Sequence, residues 1–210
     1  MPIAVMVVID NSMYMQNQDY LPSRFMTQKE CLNTYISTTL NDSVDSAVGI
    51  IPTCQYVPNI MITPTNERFN LNQFLHKLPL HEDFDISKSF KLAYLALNYR
   101  QLEEKSILVF LGTEIPTKLE DEMVKSFIDS ICVALELGIT VSVVFFADGI
   151  KYSEWVNEEI ESNGFKSVVV KEKESFYDAV CSLTGCKSEE FEDDPELALA
   201  IKLSLEEANK

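Results

Sequence analysis

The sequence predicts an α/β fold in which a doubly wound, mainly parallel sheet is flanked by helices. Short apolar, β-branched runs alternate with longer segments of helical periodicity, a pattern typical of such sheets. The 210 residues, 46% of them apolar, suffice for one large domain with a substantial core. Because the last residues are markedly acidic, we expect a domain over 1–185, an acidic linker over 186–193 and a single C-terminal helix over 194–210.

Six segments are predicted to be strands. Ile3–Ile9 is apolar throughout, as expected of a strand buried on both faces, and Ala47–Ile51 is similar. Cys54–Thr63 contains Pro58, which predicts an edge position because proline cannot donate a ladder hydrogen bond. The other three predicted strands are Ile107–Leu111, Thr140–Phe146 and Ser167–Lys171.

Helices are predicted between these strands. Leu21–Leu40 has Pro22 near its first turn, where proline is well tolerated. Ser87–Asn98 repeats apolar residues at the spacing of one helix face. The other predicted helices are Phe69–Leu78, Lys118–Leu137, Ser153–Ser162 and Ser175–Leu183.

Three acidic residues follow predicted strands: Asp10, Glu114 and Asp148. The carboxyl ends of parallel strands meet at one edge of the sheet, which is where ligands bind in folds of this class. An acid at a strand end also commonly caps the next helix or solvates a turn, and we favour that structural role for any one of the three.

Composition argues against several classes of function. The net charge of −16 repels phosphate backbones, so no nucleic-acid partner is expected. No apolar run is long enough for a membrane helix, and the first one ends at Asp10 without a basic segment before it, so neither a membrane association nor a signal peptide is expected. The five cysteines form no CxxC pair, which indicates free thiols in a reducing compartment.

Motifs of catalysis and cofactor binding are missing as well. The sequence has no GxGxxG, no GxxxxGK[ST] and no GxSxG. His76 and His81 are the two histidines, and we interpret both as surface residues. The sequence therefore predicts a non-enzyme without a cofactor.

The exit of the first strand carries one distinctive motif, Asp10-Asn11-Ser12-Met13-Tyr14. It resembles the D-x-S-x-S pattern with which von Willebrand A domains hold a divalent cation. Asp10 and Ser12 match, but Tyr14 replaces the second serine and the family's later aspartate falls at about Thr113. We expect a degenerate site that binds no metal.

The same resemblance predicts that the loop Asp10–Asp19 docks a partner, through Asp10, Asn11, Ser12 and Tyr14. Without a metal shell, the Asp10 carboxylate has two alternative roles. It can pair with a basic group on a neighbouring subunit, or it can cap its own loop.

The C-terminal segment carries the most specific pattern. The acidic run Glu189–Asp194 precedes a helix with Asp194 as a good N-cap and Pro195 at the first helical position. Leu197, Ala200, Ile201 and Ser204 share one stripe of this helix, and the small Ala200 lets a partner surface approach closely. In order and spacing the segment resembles the ubiquitin-interacting motif. The resemblance implies a set of ubiquitin-binding residues: Glu192, Asp193, Asp194, Glu196, Leu197, Ala200, Ile201, Leu203, Ser204 and Glu207.

A degenerate von Willebrand A domain followed by this motif resembles the multiubiquitin-receptor subunits of the proteasome regulatory particle. Segments 8–15, 19–25 and 95–101 are similar to that family, as is DDPELALAIKLSLEE at Asp193–Glu207. The resemblance implies a non-catalytic subunit of the cytoplasm and nucleus. Its A domain would dock on lid and base subunits, and its helix would capture ubiquitin and polyubiquitin chains.

Two alternatives remain open at this point. The chain can act as a free ubiquitin-binding adaptor away from the proteasome, since the same residues would serve both roles. It can also be a metal-dependent A-domain binding protein, which would need Asp10, Ser12 and a further acid such as Asp148 to hold magnesium.

Overall fold

Six strands form one sheet in the structure, a computed structural model that describes residues 1–55 and 61–185. The strands are β1 (Ile3–Ile9), β2 (Ala47–Pro52), β3 (Ile62–Thr65), β4 (Glu104–Leu111), β5 (Thr140–Phe146) and β6 (Phe165–Val170). Their order is β3-β2-β1-β4-β5-β6, and all neighbours are parallel except the antiparallel pair β2 and β3. This arrangement confirms the predicted doubly wound, mainly parallel sheet.

Helices cover both faces of this sheet. They are α1 (Arg24–Asp42), α2 (Arg68–Lys77), α3 (Ile86–Asn98), α4 (Glu120–Glu136), α5 (Ser153–Glu159) and α6 (Phe176–Thr184). Short 3-10 helices occupy Met13–Gln16 and Ala147–Tyr152. Among the helices of the described ranges, none is long and apolar enough to cross a membrane.

Each face of the sheet has its own apolar core. Successive strand side chains point to opposite faces, so Val5, Val7 and Ile9 of β1 pack with α1, α2 and α6. Their neighbours Met6 and Val8 pack with α3, α4 and α5. Because β1 is buried on both sides, its sequence is apolar without alternation, as predicted.

Several predicted boundaries are wrong, among them the starts of α1, β3 and β4 and the end of α5. Helix α1 begins at Arg24, where the Ser23 hydroxyl accepts a hydrogen bond from the Met26 N–H at 3.2 Å, so Pro22 precedes the helix. The predicted strand Cys54–Thr63 starts too early, because Cys54 makes only an isolated bridge with Phe84 and β3 begins at Ile62. The predicted edge position of this strand is confirmed.

The chain leaves β1 and β4 toward opposite faces of the sheet. Helix α1 follows β1 on one face and α4 follows β4 on the other, so a crevice opens between the carboxyl ends of these neighbouring strands. The 3-10 helix Ala147–Tyr152 also packs at this edge. It approaches so closely that a Cβ on Gly149 would overlap the carbonyl oxygen of Leu111.

The last described helix, α6, ends at Thr184, and Gly185 follows it in the left-handed conformation with φ of 69°. The predicted linker over 186–193 and the predicted helix over 194–210 lie outside the described residues.

Candidate functional site at the carboxyl edge of the sheet

Asp10 lies inside the crevice and is fully buried. Its Oδ1 accepts a hydrogen bond from the Ser12 N–H at 3.1 Å. Its Oδ2 accepts one from the Gly112 N–H at 3.0 Å and one from the Thr113 hydroxyl at 2.7 Å. The carboxylate therefore caps its own loop and ties the ends of β1 and β4 together, the second of the two roles predicted for it.

Gln28 of α1 completes the polar environment of Asp10. Its Oε1 accepts from the Asp10 N–H and its Nε2 donates to the Asp10 carbonyl, each at 3.2 Å. The hydroxyls of Ser12 and Thr113 are also in hydrogen-bond contact with each other. Buried polar groups that satisfy one another in this way define a single rigid arrangement.

Burial raises the pKa of Asp10 because desolvation disfavours the charged form of the carboxyl group. Hydrogen bonds from Thr113, Ser12 and Gly112 act in the opposite direction but do not outweigh the burial.

These residues do not fit a divalent cation. Hard cations such as magnesium prefer several oxygen ligands, usually including more than one carboxylate. Thr113 occupies the place of the expected aspartate and donates to Asp10, while Tyr14 in place of the second serine is 49% exposed. Within residues 1–55 and 61–185, no three His, Cys, Asp or Glu side chains cluster closely enough to hold a metal ion.

Asn11 fastens the loop to two other segments. Its Oδ1 accepts from the Cys54 N–H at 2.7 Å, and its Nδ2 donates to the carbonyls of Cys54 at 3.0 Å and Pro79 at 3.1 Å. The amide is fully buried, so it holds the carboxyl edge together from the inside.

The burial of these side chains limits which predicted docking residues can contact a partner. Asp10, Asn11 and Ser12 are 0%, 0% and 2% exposed, so they cannot offer their side chains directly to a partner, contrary to the expectation that all four predicted residues would. Tyr14 and its neighbour Met13 do face solvent. Docking through this loop remains a prediction, and Tyr14 is the one of the four predicted docking residues whose side chain is exposed.

A second polar cluster lies beside the crevice, where Arg24 of α1 joins two acids. Its guanidinium is 2.6 Å from Asp19 Oδ2 and 2.6 Å from Asp148 Oδ2, and the residue is only 5% exposed. The hydrogen bonds and positive charge of Arg24 lower the pKa of Asp19. The predicted edge acid Asp148 therefore pairs with Arg24 rather than joining Asp10.

We expect Arg24→Met to destabilise the domain by about 2–3 kcal/mol. The substitution removes the buried guanidinium and leaves the partly solvated carboxylates of Asp19 and Asp148 without their partner. The free energy of unfolding from urea titrations measures the effect. Because the pKa of Asp19 is lowered in the folded state, its contribution is present above its unfolded pKa and is lost as the pH falls through the folded value. The difference in the free energy of unfolding between wild type and variant should therefore narrow as the pH falls below about 4, the usual pKa of an aspartate.

Lys125→Met is the matched control for this prediction, since Lys125 is an exposed residue of α4. It should change the free energy of unfolding by less than about 0.5 kcal/mol. Equal stability of Arg24→Met and wild type at neutral pH would contradict a structural role for the cluster.

The third edge acid, Glu114, has a surface role. The Lys151 ammonium lies 2.9 Å from Glu114 and 3.0 Å from Glu120, and both lysine and Glu114 are well exposed. The structure thus separates the three predicted edge acids: only Asp10 lies in the crevice.

Two cysteine thiols of this domain are deeply buried. Burial raises the pKa of Cys54 to about 12, with the nearby Asp10 charge adding to the effect, and burial also raises the pKa of Cys31 to about 12. Both remain protonated at neutral pH and so are poor nucleophiles. The predicted ubiquitin-binding residues all fall within 192–207 and lie outside the described residues.

Sequence reasoning missed Arg24 and Gln28. They stand four residues apart on the face of α1 that also buries Leu32 and Tyr35, and both are at most 5% exposed. The signal was their place in the apolar stripe of α1, since polar residues at such positions usually bind other buried polar groups.

A known protein family matches part of this chain. The sequence profile of the von Willebrand factor type A domain matches residues 5–114 of this chain. The crystal structure of the SpRpn10 VWA domain superposes with a TM-score of 0.72 at 22% identity, covering 87% of this chain and 95% of that one. A conserved hypothetical protein, BatB from Bacteroides thetaiotaomicron, gives a TM-score of 0.66 at 18% identity, covering 87% and 97%.

Curated relatives are similar in sequence. The 26S proteasome regulatory subunit rpn10 of Schizosaccharomyces pombe is 30% identical over 121 residues, which is 57% of this chain and 49% of that protein. The 26S proteasome non-ATPase regulatory subunit 4 of Caenorhabditis elegans is 26% identical over 199 residues, covering 89% and 55%. That of Drosophila melanogaster is 25% identical over 232 aligned positions, covering 97% and 56%. The chain thus spans about half the length of these relatives.

Proposed function

Because this chain belongs to the von Willebrand factor type A domain family and is homologous to proteasome regulatory subunits, we propose that it is a non-catalytic ubiquitin receptor of the proteasome regulatory particle. In this proposal the A domain docks on lid and base subunits. The segment over 194–210 forms a helix that captures ubiquitin and polyubiquitin chains.

The observation that carries the proposal is the extent of the sequence similarity. Residues 186–210 are 25 of 210, or about 12% of the chain, whereas the alignment with the Drosophila subunit covers 97% of it. That alignment must therefore reach well into the acidic C-terminal segment, where the ubiquitin-interacting pattern lies. The relatives are named as regulatory and non-ATPase subunits, which supports a role without catalysis.

The closed crevice favours this function over the metal-dependent alternative. A metal-dependent A domain presents an open coordination position to its partner. Here the Asp10 carboxylate is fully buried and accepts hydrogen bonds from Ser12, Gly112 and Thr113. A partner would then bind the exposed side chains around the crevice and not an ion inside it. We place the protein in the cytoplasm and nucleus, as part of the particle.

Co-purification tests the proposal directly. The tagged full-length chain is expressed in cells of its source, and the extract is separated by size exclusion. Co-elution with a megadalton particle that degrades ubiquitinated substrate supports the subunit role. Elution entirely as a free protein that still binds polyubiquitin would instead favour the extraproteasomal adaptor.

Tyr14 provides the test of the docking loop. We expect Tyr14→Ala to weaken incorporation into the particle roughly 5- to 30-fold, since loss of an exposed aromatic anchor typically costs about 1–2 kcal/mol of binding. Quantitative recovery of the variant with the particle measures this effect. Binding of free ubiquitin should stay at the wild-type level because the proposed helix lies in another part of the chain.

The control for Tyr14→Ala is Tyr99→Ala, which removes another exposed tyrosine at a residue beyond the end of α3. Wild-type incorporation of Tyr14→Ala, or an equal loss in both variants, would place the docking surface away from this loop.

A further inference from the structure

A second candidate site lies at the amino edge of the sheet, opposite the crevice. A cavity of about 490 Å³ lies there beneath α1 and α6, where β1, β4, β5 and β6 begin. Sites for small molecules typically have about 300–1,000 Å³. The walls combine apolar side chains with hydroxyl groups: Ile3, Tyr35, Leu183, Thr39, Ser106 and Ser142.

The sequence of two central strands explains why space is left at this edge. On the face toward α1 and α6, the carboxyl-terminal positions are Phe110 in β4 and Phe146 in β5, and both phenylalanines are buried. At the amino ends of the same strands, the corresponding positions hold Ser106 and Ser142. Serine has a much smaller side chain than the phenylalanines at the carboxyl ends of the same strands. Space is therefore left in the core at the amino edge of the sheet.

The hydroxyl of Thr39 in α1 indicates that the cavity binds a polar group. Its neighbours Thr34, Ser37 and Thr38 each donate a hydroxyl hydrogen bond to the carbonyl four residues earlier. The Thr39 hydroxyl does not, and its Oγ1 has no hydrogen-bond partner among the described residues although the residue is only 4% exposed. A buried hydroxyl without a partner is costly, so the cavity should contain a group that binds it.

The two serines strengthen this argument. Ser106 and Ser142 line the same cavity and are 6% and 5% exposed. Hydroxyl groups from three different elements thus face one cavity. An apolar ligand would leave the buried Thr39 hydroxyl without a partner.

The charges around the cavity indicate a neutral ligand. Asp42, Glu104 and Lys166 stand at its exposed rim, and the Lys166 ammonium already donates to the Leu183 carbonyl at 3.3 Å. The buried part of the wall carries no charged side chain, so an ionic ligand would be left without a counter-charge.

We propose that this cavity binds a small neutral polyol of monosaccharide or cyclitol size. Its hydroxyl groups exchange hydrogen bonds with Thr39, Ser106 and Ser142. Its C–H face packs on the ring of Tyr35 and on Ile3. The site is at the opposite edge of the sheet from the docking loop, so this proposal is independent of the proposed proteasomal function.

NMR titration of the full-length chain with glucose and with myo-inositol tests the proposal. We expect saturable shifts of the backbone amides of Thr39, Ser106 and Ser142. Thr39→Val keeps the shape of the side chain and removes the hydroxyl, so it should weaken binding roughly tenfold, the equivalent of about one buried hydrogen bond. Thr38→Val is the matched control, because that hydroxyl donates to the Thr34 carbonyl and does not line the cavity. It should leave the affinity unchanged.

Three outcomes would overturn the proposal. The first is the absence of saturable shifts with both polyols. The second is equal binding by Thr39→Val and wild type; if that variant does not fold, Ser142→Val, which fills part of the cavity, takes its place in the comparison. The third is a nuclear Overhauser contact between the Thr39 methyl group and a residue beyond 185, which would identify the chain's own C-terminal segment as the occupant.

Discussion

Ala200→Gln is expected to weaken ubiquitin binding roughly 5- to 150-fold while leaving the A domain folded, because overfilling a close-packed contact typically costs about 1–3 kcal/mol. On the proposed helix, Ala200 lies in the stripe with Leu197, Ile201 and Ser204. A glutamine there holds the ubiquitin surface away from the helix backbone. Titration of isotopically labelled ubiquitin with the full-length chain, followed by NMR, gives the dissociation constants.

The control is Ala198→Gln, the same substitution two residues away and off the stripe. It should bind like the wild type. Equal losses in both variants would mean that glutamine disturbs the segment itself, and unchanged binding by Ala200→Gln would remove this stripe as the contact. Ser204→Arg tests the same stripe one turn later and should also weaken binding.

Asp10→Ala should destabilise the A domain by about 3–5 kcal/mol, since it leaves buried donors without an acceptor. The donors are the Ser12 and Gly112 amides and the Thr113 hydroxyl. Guanidinium unfolding followed by circular dichroism measures the loss. Asp129→Ala, at an exposed position of α4, is the control and should stay within about 0.5 kcal/mol of wild type. A change below about 1 kcal/mol in Asp10→Ala would show that the carboxylate does not brace the crevice.

This prediction also bears on Asp10→Arg, a charge reversal that the sequence alone suggests as a docking test. An arginine at a fully buried position would leave an unpaired charge in the core, so the domain should unfold. Failure to enter the particle would then report folding and not docking. Tyr14→Ala avoids this ambiguity because its side chain is exposed.

Most of the fold could be predicted because its strands are buried on both faces. Uninterrupted apolar runs such as Ile3–Ile9 and Thr140–Phe146 can be recognised in the sequence, and both match the structure residue for residue. The start of α1 was harder to place, since Pro22 and Ser23 are both suited to a helix start and the hydrogen bond that decides for Ser23 is a local detail.

The site was predictable in its position but not in its burial. The rule that parallel strands share a carboxyl edge places Asp10 and Thr113 at the same edge, and in the structure the Thr113 hydroxyl donates a hydrogen bond to Asp10. A polar residue after a strand usually faces water, so the burial of Asp10 and Asn11 could not be predicted from their place in the sequence. Their enclosure depends on Gln28 and on the segments around Cys54 and Pro79, which are distant in the sequence.

The crevice between β1 and β4 has a consequence for regulation. In a metal-dependent A domain, ion supply decides whether the partner is held, so adhesion can be turned on and off. Here the hydroxyl of Thr113, just beyond the end of β4, binds the Asp10 carboxylate within the same chain. If this edge docks a partner, as proposed, the attachment would therefore not depend on the supply of an ion.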